Sequence, residues 1–200
     1  MTFFLQLWGG GFYLTNKILF SLAEGRSDER KRAMQMAGWM IYILGVPPWV
    51  MILISDRNWI AASIEAGGVP AMLFGLYTVY GGNQAYTRRF DLIASIFTYG
   101  SLVLGVGYSV IDQQGINTLS QVLELGVMVG FLMGSYFLAK RNPRGWLFFM
   151  LMNGSMAALM LIQDKPILSG QQILSLCFVI YGFVVATRTT KPPQKRQIHS

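Results

Sequence analysis

Residues Leu119–Ala139 read LSQVLELGVMVGFLMGSYFLA, and Lys140–Arg144 follow at once as KRNPR. Twenty-one residues with one formal charge, Glu124, match a helix crossing a hydrocarbon core of about 30 Å. The basic run that ends the stretch suits cytoplasmic headgroups. Gly126, Gly130 and Gly134 make a G-x-x-x-G-x-x-x-G stripe. Such a stripe signals close packing, against another helix or against another protomer or membrane partner.

Working outward, six further stretches read the same way: Phe3–Ala23, Ala33–Ser55, Trp59–Tyr80, Leu92–Ile111, Gly145–Gln163 and Ile167–Ala186. Their breaks are Arg26–Arg32, Asp56–Asn58, Asn83–Asp91, Asp112–Asn117, Lys140–Arg144 and Asp164–Pro166. The spacing predicts an all-α polytopic membrane protein with seven spans. Of the 200 residues, 53% are hydrophobic and 12% charged, against about 25% charged in a soluble domain. So little charge cannot cover so much apolar surface in water. The first span lacks a basic n-region and a small-residue cleavage site, so it reads as retained. The tail, 188–200 with Pro192 and Pro193, reads as disordered.

The net charge of +7 is distributed by loop. Thirteen Lys and Arg fall after spans one, three and five and in the tail; the other side has only Arg57 and Lys165. That bias predicts an outside N-terminus and a cytoplasmic C-terminus, in a membrane of the bacterial inner type. It is not the helix-face arrangement of a nucleic-acid binder. The single cysteine, Cys177, and single histidine, His199, exclude a disulfide framework, a thiolate metal cluster and a histidine triad. No cofactor or metal is expected, and the reading is not an enzyme.

A shift of 107 positions lays Gly38-Trp39 on Gly145-Trp146, Leu44 on Leu151, Glu65 on Gln172, Phe74 on Tyr181 and Gly75 on Gly182. Spans one and five also align once a longer first loop is allowed for, Gly10 with Gly126 and Leu22-Ala23 with Leu138-Ala139. The expected plan is two parallel three-helix repeats, 1–82 and 117–187, joined by a linker region with the fourth helix, 83–116. Solute sites form between such halves near the midplane.

Few polar residues lie inside the spans, so each can be named. Glu65 and Glu124 are carboxylates at a depth where a charge costs about 2.5–3.5 kcal/mol on insertion scales. Each either faces a cavity or is a hydrogen-bonded structural carboxyl. Asn16, Asn153 and Gln172 are amides able to read a polar ligand or to bond a neighbouring helix. Trp49, Tyr42 and Tyr181 could stack on a planar ring or simply pack. Lys17 reads as snorkelling to the headgroups, and Trp39 and Trp146 as interfacial anchors. One of Gln171 and Gln172 must point inward, since neighbours differ by about 100° around a helix. Pro47-Pro48 and Pro70 are expected to kink spans two and three.

The segment Gln172-x8-Tyr181-Gly182-Phe183, preceded by Trp146 and Asn153, resembles the Pnu family of vitamin transporters. The seven-span plan and the outside N-terminus resemble that family as well. The likeness implies transport of nicotinamide riboside or related compounds. In the first half, Ile64-Glu65-Ala66-Gly67-Gly68-Val69-Pro70 stands where the family motif would lie. Sugar carriers of the SWEET type share the plan but usually carry a proline in the first helix of each triplet, and spans one and five have none.

Together these readings point to a facilitator or secondary carrier for a small polar, ring-containing solute such as a vitamin riboside. The rivals are a non-transporting subunit docking another membrane protein and a SWEET-type small-solute carrier. The expected surroundings are membrane lipids and the solute, with no nucleic acid.

Overall fold

A computed structural model describes residues 2–55, 59–82, 88–112 and 114–189. The loop Asp56–Asn58, residues 83–87 and the tail from 190 lie outside the described residues. All regular structure among the described residues is helical: α1 Thr2–Ala23, α2 Asp28–Ser55, α3 Trp59–Gly67, α4 Val69–Gly81, α5 Arg88–Asp112, α6 Leu119–Ala139, α7 Arg144–Ile162 and α8 Pro166–Thr189. Five of them, α2, α5, α6, α7 and α8, are long and apolar enough to cross a membrane. Although α1 has 22 residues, Gln6, Gly9–Gly11, Asn16 and Lys17 dilute its hydrophobicity. α3 and α4 are each too short alone.

Two breaks expected from charge turn out to be partly helical. Asp28–Arg32 is the first turn of α2, where Asp28 and Glu29 face the positive end of the helix dipole. The Ser27 carbonyl accepts from Lys31 N at 2.8 Å. Arg88–Asp91 likewise opens α5.

Of the two proline positions expected to kink their spans, Pro70 lies at an interruption, while Pro47-Pro48 does not end its helix. α2 runs through Pro47-Pro48 as one helix. The interruption comes at Gly68, between α3 and α4, because Pro70 has no N–H to offer the carbonyl four residues back. Gly68 also lets α6 approach: a Cβ there would lie 2.6 Å from the Phe131 ring.

α1 packs on α2 and α8, and α6 packs on α7 and α4; α5 lies against α3, α4 and α6. The core is aromatic, built from Trp39, Tyr42, Phe74, Phe131, Trp146 and Phe149. The outside is apolar too. On α5, Val103, Leu104 and Ile111 are 72–79% exposed, which suits hydrocarbon as the solvent better than water.

The glycine stripe of α6 is filled from within the chain. A Cβ on Gly126 would meet Ser155, on Gly130 the backbone of Phe148 and Met152, and on Gly134 the Phe149 ring. Of the two expected occupants of that face, another helix or a second protomer or partner, it is a helix of the same chain, α7, that fills it.

Candidate functional site

Four residues of α1 and α2 set the site. Tyr13 and Lys17 are one turn apart and share a face of α1, with Asn16 beside them; Tyr42 lies opposite on α2. Gly45 permits the contact: a Cβ there would lie 2.6 Å from the Tyr13 ring. The Tyr13 and Tyr42 rings meet edge to face with centroids 5.0 Å apart.

Lys17 does not snorkel. It is 1% exposed, and its Nζ donates to Asn16 Oδ1 at 3.2 Å. The same nitrogen lies 4.3 Å from the Tyr42 ring centroid and 3.9 Å from that of Phe149 on α7. Two aromatic faces thus replace the headgroups as its partners. Asn16, fully buried, donates to Gly38 O at 3.0 Å, which fixes α1 against α2.

Glu65 on α3 is half-buried and accepts a hydrogen bond from the Tyr13 hydroxyl. Its carboxylate interacts electrostatically with Lys17, yet the two are not bridged. Among the described residues the ion pairs are Lys31–Glu24 and Lys140–Asp91. Tyr42 shares a hydrogen bond of 3.2 Å with Ser135 Oγ on α6. Trp49 closes the cluster 6.3 Å from Tyr13, and its indole N–H is buried without an acceptor among the described residues.

A cleft of about 400 Å³ opens at the end of the bundle that carries the basic loops. Phe20, Trp39 and Trp146 line its buried part, and Lys31, Arg32 and Arg141 line its exposed part. Arg141 donates to Thr78 O at 2.8 Å, and Arg32 donates to Tyr80 O, so both guanidinium groups hold the carbonyl end of α4. Trp39 stacks at 6.2 Å on Tyr42. Trp39, which lines the cleft, therefore also touches Tyr42 of the Lys17 cluster.

The two tryptophans expected as interfacial anchors are instead buried, Trp39 at 2% and Trp146 at 1% exposure. Each lies against a glycine. Trp39 covers Gly75, and a Cβ on Gly182 would fall 2.6 Å from Trp146.

Of the residues singled out in the sequence, Asn16, Tyr42, Glu65 and Trp49 come together. Asn153 is buried, but its amide donates to Phe149 O on its own helix at 2.6 Å. Glu124 is exposed on α6, and Tyr181 is 49% exposed on α8, so neither joins the cluster. Tyr181 faces outward because its neighbour Gly182 takes the inward position under Trp146. Gln172 is half-buried, while Gln171 reaches inward and donates to Gly10 O at 2.8 Å. Sequence reasoning missed Tyr13, Ser135 and Phe149. Tyr13 could have been found from its spacing of one turn to Lys17; Phe149 and Ser135 have no local signal.

Among the described residues no three His, Cys, Asp or Glu side chains gather as a metal site. No family model, curated protein or solved structure matches the chain.

Proposed function

We propose that the chain is an integral membrane carrier, a facilitator or secondary transporter, for a small polar ring-bearing solute such as a vitamin riboside. α1, α2 and the interrupted pair α3–α4 would form one three-helix unit, α6–α8 the other, and α5 the linker. The observation that carries the reading is the cluster of buried Lys17, Asn16 and Tyr42 with half-buried Glu65, met by Phe149 and Ser135 from the other unit, just beyond an open cleft.

The helix neighbours support the two-unit plan. Exchanging the units converts the α1–α8 contact into the α6–α4 contact. The two Trp-over-Gly pairs, Trp39–Gly75 and Trp146–Gly182, exchange in the same way. Such an arrangement puts a solute site at the seam, where rocking of one unit opens it to each side in turn. With the N-terminus outside, the cleft opens to the cytoplasm.

The test is counterflow in proteoliposomes holding the purified chain, after a thermal-shift screen of vitamins, nucleosides and sugars. Exchange of a stabilising solute, lost in Glu65→Gln with folded protein retained, is the expected result. A stoichiometric partner from native membrane together with no exchange of any solute would replace this reading by that of an assembly subunit.

A further inference from the structure

Lys17 and Glu65 bring an amine and a carboxyl group to one cluster and do not pair with each other. Each is held instead by a neutral neighbour, Lys17 by Asn16 and Glu65 by Tyr13. Burying an isolated charge costs several kcal/mol, and a direct ion pair is the simplest way to offset it. A fold that keeps the amine and the carboxyl in one cluster but unpaired leaves each able to take an opposite charge. A zwitterion supplies both at once and arrives with no net charge of its own to desolvate.

The surroundings fit that occupant. Tyr42 and Phe149 already face an amine nitrogen, and Tyr42 joins Tyr13 and Trp49 in one aromatic cluster beside it, the side-chain type that a solute's ring would stack on. The Trp49 N–H, packed against Gly9 of α1, is a buried donor without an acceptor among the described residues. The Tyr13 hydroxyl and the Asn16 amide are neutral place-holders that a ligand's ammonium and carboxylate would displace.

We infer that the seam site takes a ring-bearing zwitterion, its carboxylate on Lys17 and its cationic nitrogen on Glu65, a substrate class that rests on the carrier reading above and narrows it. α-Amino acids with a ring are the simplest solutes of this class and serve as its probes.

The test is a binding series at constant ring and varied charge. L-Phenylalanine, its methyl ester, N-acetyl-phenylalanine and N-acetyl-phenylalanine amide are compared by thermal shift and by isothermal titration on the purified full chain. L-Proline and its ester and N-acetyl forms repeat the series with a smaller ring. In at least one series the zwitterion is expected to bind about ten-fold more tightly than either singly charged analogue, the size of one lost charge-assisted hydrogen bond. Lys17→Met removes that advantage over the ester, and Glu65→Gln removes it over the N-acetyl form. The wild-type series stands by itself where a variant fails to fold.

Equal binding of zwitterion and analogues, or binding of neither zwitterion, overturns the inference. If a neutral nucleoside or sugar exchanges in proteoliposomes while the charged series shows no discrimination, the carrier reading survives and the zwitterion does not. If zwitterions bind with the expected charge rule but no solute exchanges, the site stands and transport falls.

Discussion

The side-chain nitrogen of Lys17 lies 3.9 Å from the centroid of the Phe149 ring, tying the first helix to the seventh. Ordering a lysine inside the bundle costs side-chain entropy of about 1.5–2 kcal/mol, besides desolvation. Two ring faces return about 2 kcal/mol between them when desolvated, and the Asn16 hydrogen bond adds about 1 kcal/mol. With desolvation of several kcal/mol added to the entropy, the cost is not met by these gains, so stability alone does not explain why a lysine sits there.

Replacing Lys17 by methionine is therefore expected to leave the melting temperature of the purified protein unchanged or to raise it. The thioether keeps the volume and removes a buried charge. Phe149→Ala is expected to do the reverse. It opens a cavity in a fully buried position, at a cost of about 3–5 kcal/mol. Thermal denaturation of both variants in one detergent decides the matter; a large loss in Lys17→Met would make the lysine a structural strut.

Gly182→Ala is expected to destabilise the protein by about 1–3 kcal/mol, since its Cβ would lie 2.6 Å from the Trp146 ring. Gly75→Ala meets Trp39 in the same way and should cost a similar amount. Trp146→Phe, which is smaller, should recover part of the loss when combined with Gly182→Ala. Gly154→Ala meets nothing within 4 Å and should be neutral or slightly stabilising through helix propensity. Unequal losses at Gly75 and Gly182 would count against a common origin for the two units.

The helices were legible because hydrophobic length is a local property. Leu119–Ala139 is both the sequence span and the observed helix. Charge was a poorer guide to helix ends: Arg30, Lys31 and Arg32 read as a break, yet an amphipathic turn absorbs them into α2. The site was only half legible. Asn16 and Glu65 stood out because polar residues inside spans are rare. Whether such a residue faces the seam depends on helix rotation, which tertiary packing sets. That is why Glu124 and Tyr181 point outward while Tyr13, an unremarkable aromatic, holds Glu65. Lys17 was misjudged because a snorkelling lysine and a buried one have the same sequence. Only the two ring faces, one from a helix 132 positions away in the chain, separate them.

At the basic end, Lys140 donates to Asp91 Oδ2 at 3.1 Å and to the Tyr136 hydroxyl at 3.3 Å. Partial burial pulls the ammonium's pKa down, but the Asp91 and Tyr136 interactions outweigh it and hold the group above its usual range. A raised folded value means the contribution is complete below the unfolded lysine pKa of about 10.4. It is lost only as pH climbs through the folded value. Lys140→Met should thus cost up to about 1 kcal/mol, as exposed ion pairs do, equally at every pH from 6 to about 9. The difference from wild type should shrink only in strong alkali and should be smaller at high salt. A loss that varied between pH 6 and about 9 would refute the assignment, with melting curves in matched buffers as the measurement.

Two ends of the bundle can be told apart by labelling, because Cys177 is the only native cysteine. On a Cys177→Ser background, single cysteines are placed at Ser27 and Asn142 at one end and at Thr118 and Asp164 at the other. Among the described residues ten Lys and Arg lie with the first pair and one, Lys165, with the second, a bias that directs basic loops to the cytoplasm. In intact cells a membrane-impermeant maleimide should label the cysteines at 118 and 164 and leave those at 27 and 142 unmodified until the membrane is opened. The outcome also bears on α1 and on the α3–α4 pair. Ser27 and Asn142 share a side only if an even number of crossings separates them, which α2, the α3–α4 pair, α5 and α6 supply when α3 and α4 act as one. Labelling of Ser27 and Thr118 from the same side would instead make α3–α4 a re-entrant pair that enters and leaves by one face, and the seven-crossing plan would fall with it.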